Sequence, residues 1–544
     1  ADGAWIAFHG DASDLQTTVV DTNGYFDIYL HEAATGTNTV ASVRTGEPSL
    51  TAGGESFVSL QTPSVSADGR WVAFISDAVN LVPGQKDGND DFDVFLHDRL
   101  TERTILVSHA AGSATRTGNG TSWRAMVSDN GRWVSFQSAA TDLVRGQTDL
   151  NGGFDVFLFD RGTGRTTLLS HAAGAPTTTG NGECGWPLLS RDGSRAAFPC
   201  LATNLIGRVA DTNSREDLCV YERETGTLSL VSHAAGSPRT TANGASQPLA
   251  ISADGVWLGF RSDATDLVAG QIDTNGGGDL FLHSMADGTT RLLSRAAGTV
   301  ATAGDKPVPN NGQGLPLALS GDGRWVVFSS DATNLVEGQN SVSRWNDVFL
   351  FDRDRGELEL ISHPAGRPTQ GTGSVYDPGI SLDGRWIAFT SPAADVVPGQ
   401  VDAEDTWDVF LRDRVTGTVR LVSHQPGAPA IAAAPGSSVF SSMSLDGSLV
   451  AFWATVPLMA GQAPRPNLGV FLYDRRAGAN VLISPSLASP LQAASDMNGD
   501  PLISGNGCVV AFSHWGSDLV VGDHNGTPDV FAYRNEARRS CAGY

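Results

Sequence analysis

Residues 66–74 read SADGRWVAF, and the same phrase returns at near-constant spacing along the whole chain. It stands as SDNGRWVSF at 128–136, SRDGSRAAF at 190–198, SADGVWLGF at 252–260 and SGDGRWVVF at 320–328. It continues as SLDGRWIAF at 381–389, SLDGSLVAF at 444–452 and SGNGCVVAF at 504–512. DGAWIAF at 2–8 is the phrase with its front missing, which is expected of a processed or clipped N-terminus. From Gly3 through Gly69, Gly131, Gly193, Gly255, Gly323, Gly384 and Gly447 to Gly507, the turn glycines lie 60 to 68 residues apart. A fixed period of this kind signals a repeat architecture, so one module fills all 544 residues.

Working outward, residues 63–112 hold a complete unit. PSVS alternates apolar and polar residues, and Asp68-Gly69 supplies the positive φ angles of a tight hairpin. RWVAFIS is the partner strand, FDVFLHD alternates again after a polar stretch, and RTILVSH closes the unit after a DRLTE turn. Apolar positions recur at spacing two in short runs, so helix is expected to be minimal. Four antiparallel strands per unit, repeated with a glycine-marked hairpin, predict an all-β protein built as a single β-propeller. The first repeat supplies three strands, the next seven four each and the last three, which predicts nine blades, with eight as the alternative count. The repeats run approximately 1–48, 49–112, 113–174, 175–236, 237–298, 299–366, 367–427, 428–488 and 489–544. If the first strand is innermost, the two hairpin turns of a blade lie on one face. The longer GQxDxNGxxD loop and the SHAAG…GNG crossover then lie on the other, where function is expected.

Composition narrows the function classes. The formal charge of −23 opposes binding to nucleic acid, whose phosphates call for a basic surface. The same acidity attracts cations. No run of about 18 apolar residues is present to span a membrane as a helix. Five cysteines are too few for a disulfide scaffold. Cys184 and Cys200 flank the Asp192-Gly193 turn and are placed to face each other across paired strands, while Cys219, Cys508 and Cys541 show no evident partners. Buried free thiols are the alternative for all five.

The S-x-D-G-R-x-x-A-F phrase followed by D-V-F-L-x-D-R resembles the TolB-like propeller repeat, itself related in architecture to WD-repeat blades. The runs at 140–158 and 264–282 resemble repeats of bacterial secreted or cell-envelope members of that family. The resemblance implies a propeller and an extracellular, periplasmic or envelope setting. It implies no reaction, because one fold hosts many functions.

The sharpest chemical pattern is an acidic loop. It comprises Asp21, Asn23 and Asp27; Asp87, Asn89 and Asp93; Asp149, Asn151 and Asp155; and Asp211, Asn213 and Asp217. It recurs as Asp273, Asn275 and Asp279; Asp402, Glu404 and Asp408; and Asp523, Asn525 and Asp529. Oxygens at positions one, three and seven of such a turn can converge on Ca²⁺, as in the first half of an EF-hand loop, although no bidentate Glu follows at position twelve. The alternative is a plain Asx turn, in which Asp and Asn cap their own backbone amides. Ser341 and Ser343 replace the pair in the sixth repeat and Ala463-Pro464-Arg465-Pro466 the loop of the eighth, so no metal is expected there.

Other recurrent residues read more plainly. His109, His171, His233, His363 and His424 are spread one per blade and are expected to be satisfied locally. The phrase tryptophans Trp5, Trp71, Trp133, Trp257, Trp325 and Trp386 are expected to pack between blades. Trp345 and Trp407 break the pattern in consecutive long loops and mark a candidate binding patch. No nucleophile elbow, zinc helix or P-loop motif occurs, and no catalytic residue is assigned. The expected function is therefore a non-enzymatic binding or scaffold module with calcium-stabilised loops and an unidentified protein or glycan partner. Such a disc is compatible with assembly into a larger particle. The alternative is an extracellular carbohydrate-active protein, either a multivalent lectin or a lyase or hydrolase acting at the channel mouth.

Overall fold

The computed structural model describes residues 2–58, 64–308, 317–341, 346–373, 378–402, 406–433, 436–462, 468–495, 499–521, 527–536, 538 and 541. The chain is an all-β, nine-bladed propeller whose described residues form seven four-stranded and two three-stranded blade sheets. In every blade sheet the strands lie in chain order, each antiparallel to the next. Blade three shows the pattern, with strands Ser122–Val127, Trp133–Ser138, Asp155–Asp160 and Arg165–Leu168. Blade one has strands Trp5–Gly10, Asp27–Glu32 and Thr37–Val40, the second to fourth of the unit. Blade nine has Leu502–Ile503, Val509–His514 and Asp529–Arg534, the first to third.

By compactness the chain divides into Ala1–Gln271 with His283–Thr290, and Ile272–Leu282 with Arg291–Tyr544. The first unit holds blades one to four and the second blades six to nine, while the segments of blade five are apportioned to both.

The core of each blade follows from strand register. The phenylalanine that ends the phrase faces a phenylalanine of the third strand, as in Phe74 with Phe95 and Phe136 with Phe157. Their rings stack at 5.7 and 5.6 Å between centroids. Phe389 with Phe410 and Phe452 with Phe471 repeat the pair at 5.5 and 5.8 Å. Such pairs contribute about 0.5–1.5 kcal/mol beyond the area they bury.

The phrase tryptophans lie between blades at the short-turn end of the core: Trp71 belongs to one buried cluster with Phe136 and Phe157, and Trp386 to one with Phe452 and Phe471. Trp71 lies under the turn of blade three, where a Cβ built on Gly131 would stand 2.0 Å from the indole Cδ1. Arg161 of blade three covers the ring at 3.8 Å, and Arg70 flanks it at 4.9 Å. Arg70 is itself held by Asp98 through two parallel hydrogen bonds of 2.8 and 2.7 Å. Trp133 under Arg223 and Trp386 under Arg475 repeat the arrangement at 4.3 and 3.7 Å. Each tryptophan thus joins its blade to the next by contact and by cation–π attraction.

The long-loop side carries more structure than its composition implies. The loop after strand two is zipped to the crossover of its own repeat by parallel bridges, Thr148 with Thr178 and Ala210 with Thr240 among them. Among the described residues a two-stranded hairpin forms in three crossovers, such as His424–Gln425 with Ala428–Ala432. The recurrent glutamine of the GQ pair sews up the turn ahead of it. Gln147 donates to the Ala140 carbonyl at 2.8 Å, and its Oε1 accepts from the Val144 amide at 3.0 Å.

Candidate functional site on the long-loop side

The acidic loop begins as an Asx turn. Asp149 Oδ1 accepts from the amides of Asn151 and Gly152 at 2.9 and 3.1 Å, and Asn151 Oδ1 accepts from the Gly153 amide at 2.6 Å. Asp21, Asp87 and Asp211 accept the corresponding amides in their blades. The fourth position of the turn needs a positive φ, which Gly24 and Gly152 adopt freely at 67° and 65°. Asp90 and Ser214 take the same region at 51° and 53°.

The third acidic residue is of a different kind. Asp27, Asp93, Asp155, Asp217, Asp279 and Asp408 open the third strand of their blades and are all buried. Burial is the largest influence on each and pushes the carboxyls of Asp27, Asp155, Asp217 and Asp279 up to about 7, and those of Asp93 and Asp408 to about 8. A neighbouring first Asp adds like-charge repulsion in each case.

Two partners of this cluster were not singled out in the sequence. A serine fifteen residues beyond the buried Asp donates to its Oδ1: Ser42 to Asp27 at 2.7 Å, Ser108 to Asp93 at 2.6 Å and Ser170 to Asp155 at 2.7 Å. In blades two and three it directly precedes the recurrent histidine, His109 or His171, and its fixed distance from the strand that the buried Asp opens was the signal. A threonine thirty residues beyond the first Asp donates to that residue's Oδ1 in blades one to four, from Thr51, Thr117, Thr179 and Thr241.

The asparagine amide ties the loop to the crossover. Asn23 Nδ2 donates to the carbonyls of Ala52 and Gly54 at 2.8 and 2.9 Å. Asn151 Nδ2 faces the carbonyls of Gly180 and Gly182 at 3.0 and 3.2 Å and both oxygens of Asp155 at 3.4 Å. Asn89 reaches Gly120, Asn213 reaches Ala242 and Asn275 reaches Gly304 in the same way. The structure therefore brings the three predicted residues of blades one to five into one cluster each. Glu404, Asp523 and Asn525 lie outside the described residues, so the loops of blades seven and nine are described only through Asp402, Asp408 and Asp529. Among the described residues, no three His, Cys, Asp or Glu side chains form a metal-holding group. The oxygens that converge on the asparagine amide nitrogen in blade three come from the Asp155 carboxylate and two main-chain carbonyls.

The recurrent histidines are satisfied locally. His109, His171, His233, His363 and His424 each place Nδ1 2.8–3.1 Å from the carbonyl of the following residue. Trp345 lies outside the described residues, and Trp407 is half-buried with its main chain bonded to Ser437 and Ser438.

An aromatic row occupies a different place, at the long-loop ends of the first strands of blades two to four. Phe57 lies 5.6 Å from Phe26 and 5.9 Å from Phe92, and Phe92 lies 4.8 Å from Trp123. The next residue, Arg124, is held at φ 57° inside a bulge of its strand and stacks over Trp186 at 4.0 Å. Trp186 is 57% exposed and sits two residues from Cys184, which is disulfide-bonded to Cys200. That bridge is the one expected across the hairpin. A second bridge joins Cys508 to Cys541, and Cys219 is free and buried. Phe26 and Phe92 precede the buried Asp in its loop, so an aromatic at that point, followed by another at the next first strand, was the signal for the row.

Solved structures align with this chain at low identity and with TM-scores below 0.5. The *Porphyromonas gingivalis* dipeptidyl peptidase 4 aligns with a TM-score of 0.49 and 12% identity over 88% of this chain. This chain spans 58% of that protein's length. The *Vibrio parahaemolyticus* oligogalacturonate lyase aligns at 0.38 and 12%, covering 94% of this chain and 97% of its own. A putative TolB from *Agrobacterium tumefaciens* aligns at 0.26 and 15%, covering 62% and 91%. No family model matches the sequence, and no curated protein does.

Proposed function

We propose that the chain is a TolB-like, non-enzymatic binding and scaffold propeller of the bacterial cell surface or periplasm, with calcium stabilising the loops of one face. The observation that carries this reading is the aromatic row from Phe26 to Trp123, with Arg124 and Trp186 beside it. Contiguous aromatic surface at loop ends, anchored on strands and next to a disulfide, is a preformed contact surface. The two disulfides support an oxidising compartment.

Titration with soluble glycans and peptides, followed by tryptophan fluorescence, tests the reading. A ligand should perturb the emission of the wild type and not that of a Trp123→Ala, Trp186→Ala variant, and it should be recovered unchanged. Equal binding by the variant would refute the assignment of the surface. A glycan partner is favoured by Trp186 and Arg124, since an indole face stacks on a sugar ring and a guanidinium pairs with its acidic groups. Cleaved or unsaturated glycan products would instead establish the carbohydrate-active alternative.

A further inference from the structure

Asp27 is 1% exposed, and its Oδ1 accepts from Ser42 while its Oδ2 is buried without a hydrogen-bond partner. Asp408, 2% exposed at the same position of blade seven, repeats this: Ser423 donates to Oδ1 at 2.6 Å, and Oδ2 has no hydrogen-bond partner. A buried carboxylate left half-satisfied is costly and calls for a counter-charge. A first Asp of the loop lies close to each of them, so when both groups are ionised two carboxylate charges meet at one point.

Blade six provides an internal comparison, because its loop has lost the first Asp and the Asn. There Asp347 Oδ2 accepts from Ser341 at 2.6 Å, and Oδ1 accepts from Ser362 and the Gly373 amide at 3.0 and 2.8 Å. A Cβ on Gly371 would stand 2.0 Å from Asp347 Oδ2, so the main chain fills the space in front of the carboxylate. In blade eight Gly469 replaces the acidic residue altogether. Where the loop loses its acidic pair, hydrogen-bond donors or a change of residue remove the need for a cation.

We infer that each loop of blades one to five is a Ca²⁺ site that fastens the loop to the crossover of its own repeat. The ligands in blade one are the carboxylates of Asp21 and Asp27, the Asn23 carboxamide oxygen and the carbonyls of Ala52 and Gly54. In blade three they are Asp149, Asn151, Asp155 and the carbonyls of Gly180 and Gly182. The geometry around the asparagine supports this. In blade three its amide nitrogen, with two hydrogens to give, faces four oxygens at 3.0–3.4 Å. A cation there satisfies all of them, and rotation of the carboxamide adds its own oxygen. An all-oxygen set of two carboxylates and neutral carbonyls suits Ca²⁺, which accepts irregular six- to eight-fold coordination, better than Mg²⁺, which requires a near-ideal octahedron.

This inference rests on the calcium part of the proposed function and is independent of the aromatic surface. Equilibrium dialysis of chelator-treated full chain against calcium should find at least five ions per chain. Binding of none would overturn the inference outright. Asp27→Asn should lower the count by one, and Asp27→Asn with Asp93→Asn and Asp155→Asn by three. Asp347→Asn in blade six should leave it unchanged. A folded triple variant that keeps the wild-type count would overturn the ligand assignment. If the triple variant fails to fold, Asp21→Asn alone decides, expected to lose one ion and overturning the assignment if it loses none. Ligand titration by fluorescence stays a separate readout, so loss of partner binding and loss of calcium are distinguishable.

Discussion

Replacing Gly131 by alanine tests how one blade grips the next. Gly131 has φ 65°, and a Cβ there would lie 2.0, 2.4 and 2.9 Å from three atoms of Trp71. Two costs follow: about 1–2 kcal/mol for placing an L-residue in the left-handed region, and about 1–3 kcal/mol for overpacking. Together they destabilise by about 2–5 kcal/mol. Gly164, in the other hairpin turn of the same blade, is the matched control. It has φ 66° and nothing within 4 Å of its built Cβ, so Gly164→Ala should cost only the backbone share, about 1–2 kcal/mol. Urea unfolding followed by far-UV circular dichroism gives both values, provided the slope with denaturant is unchanged. Introducing Gly131→Ala into a Trp71→Ala background removes the two shortest contacts and leaves the one to the Cβ at 2.9 Å, so its cost should fall towards that of Gly164→Ala. Equal costs for the two glycines in the wild type would refute the idea that the indole is clamped by the neighbouring turn.

Three further outcomes follow from named contacts. Arg385 holds the Asp413 carboxyl down at about 2, below the ordinary value of about 3.9, so the pair's contribution is complete above about pH 4 and is lost as pH falls through about 2. The stability gap between the wild type and Asp413→Asn should therefore be constant from pH 5 to about 7 and close towards pH 2; a gap that persists at about pH 2 would contradict the assignment. Cys508→Ser with Cys541→Ser opens a loop of 33 residues and should destabilise blade nine by about 3–4 kcal/mol, read as faster amide exchange in Val509–His514. Unchanged exchange would mean the bridge constrains nothing. Gln147→Ala leaves the Ala140 carbonyl and the Val144 amide without their partner and should cost about 1–3 kcal/mol in melting experiments, whereas a neutral effect would show that water replaces the side chain.

Local chemistry made the blades legible. An Asp-Gly turn followed by period-two alternation fixes two strands, and D-V-F-L followed by D-R fixes the other two, because these signals act within a few residues. The Asx turns at Asp21 and Asp149 were readable for the same reason, as was the bridge across the Asp192-Gly193 hairpin. Contacts between repeats were not readable in that way. Arg161 meets Trp71 across a blade boundary, and nothing near either residue announces the other. Ser42 and Thr51 belong to the crossover, which reads as a connection without structure, yet both hydrogen-bond into the acidic loop. Cys508 and Cys541 lie outside any shared hairpin, so no periodicity points from one to the other.

The junction between blades four and five departs from the tryptophan and arginine pattern on both sides. Arg195 stands where other blades have the indole and reaches the Gly255 carbonyl at 2.8 Å, and the next blade has Met285 where an arginine would have faced it. Between blades eight and nine, Leu449 takes the indole's place, and Arg538 reaches back to Asp446 and Ser448 at 2.8 and 2.9 Å. Nine closely similar modules could associate in many wrong sequences during folding. Junctions that differ in this way act as keyed couplings: a transposed module would set two guanidinium groups against each other or leave an indole uncovered. These two seams thus mark fixed points in the serial order of the modules: a second copy of blade four placed after the first would set Arg195 against the Arg223 of the copy.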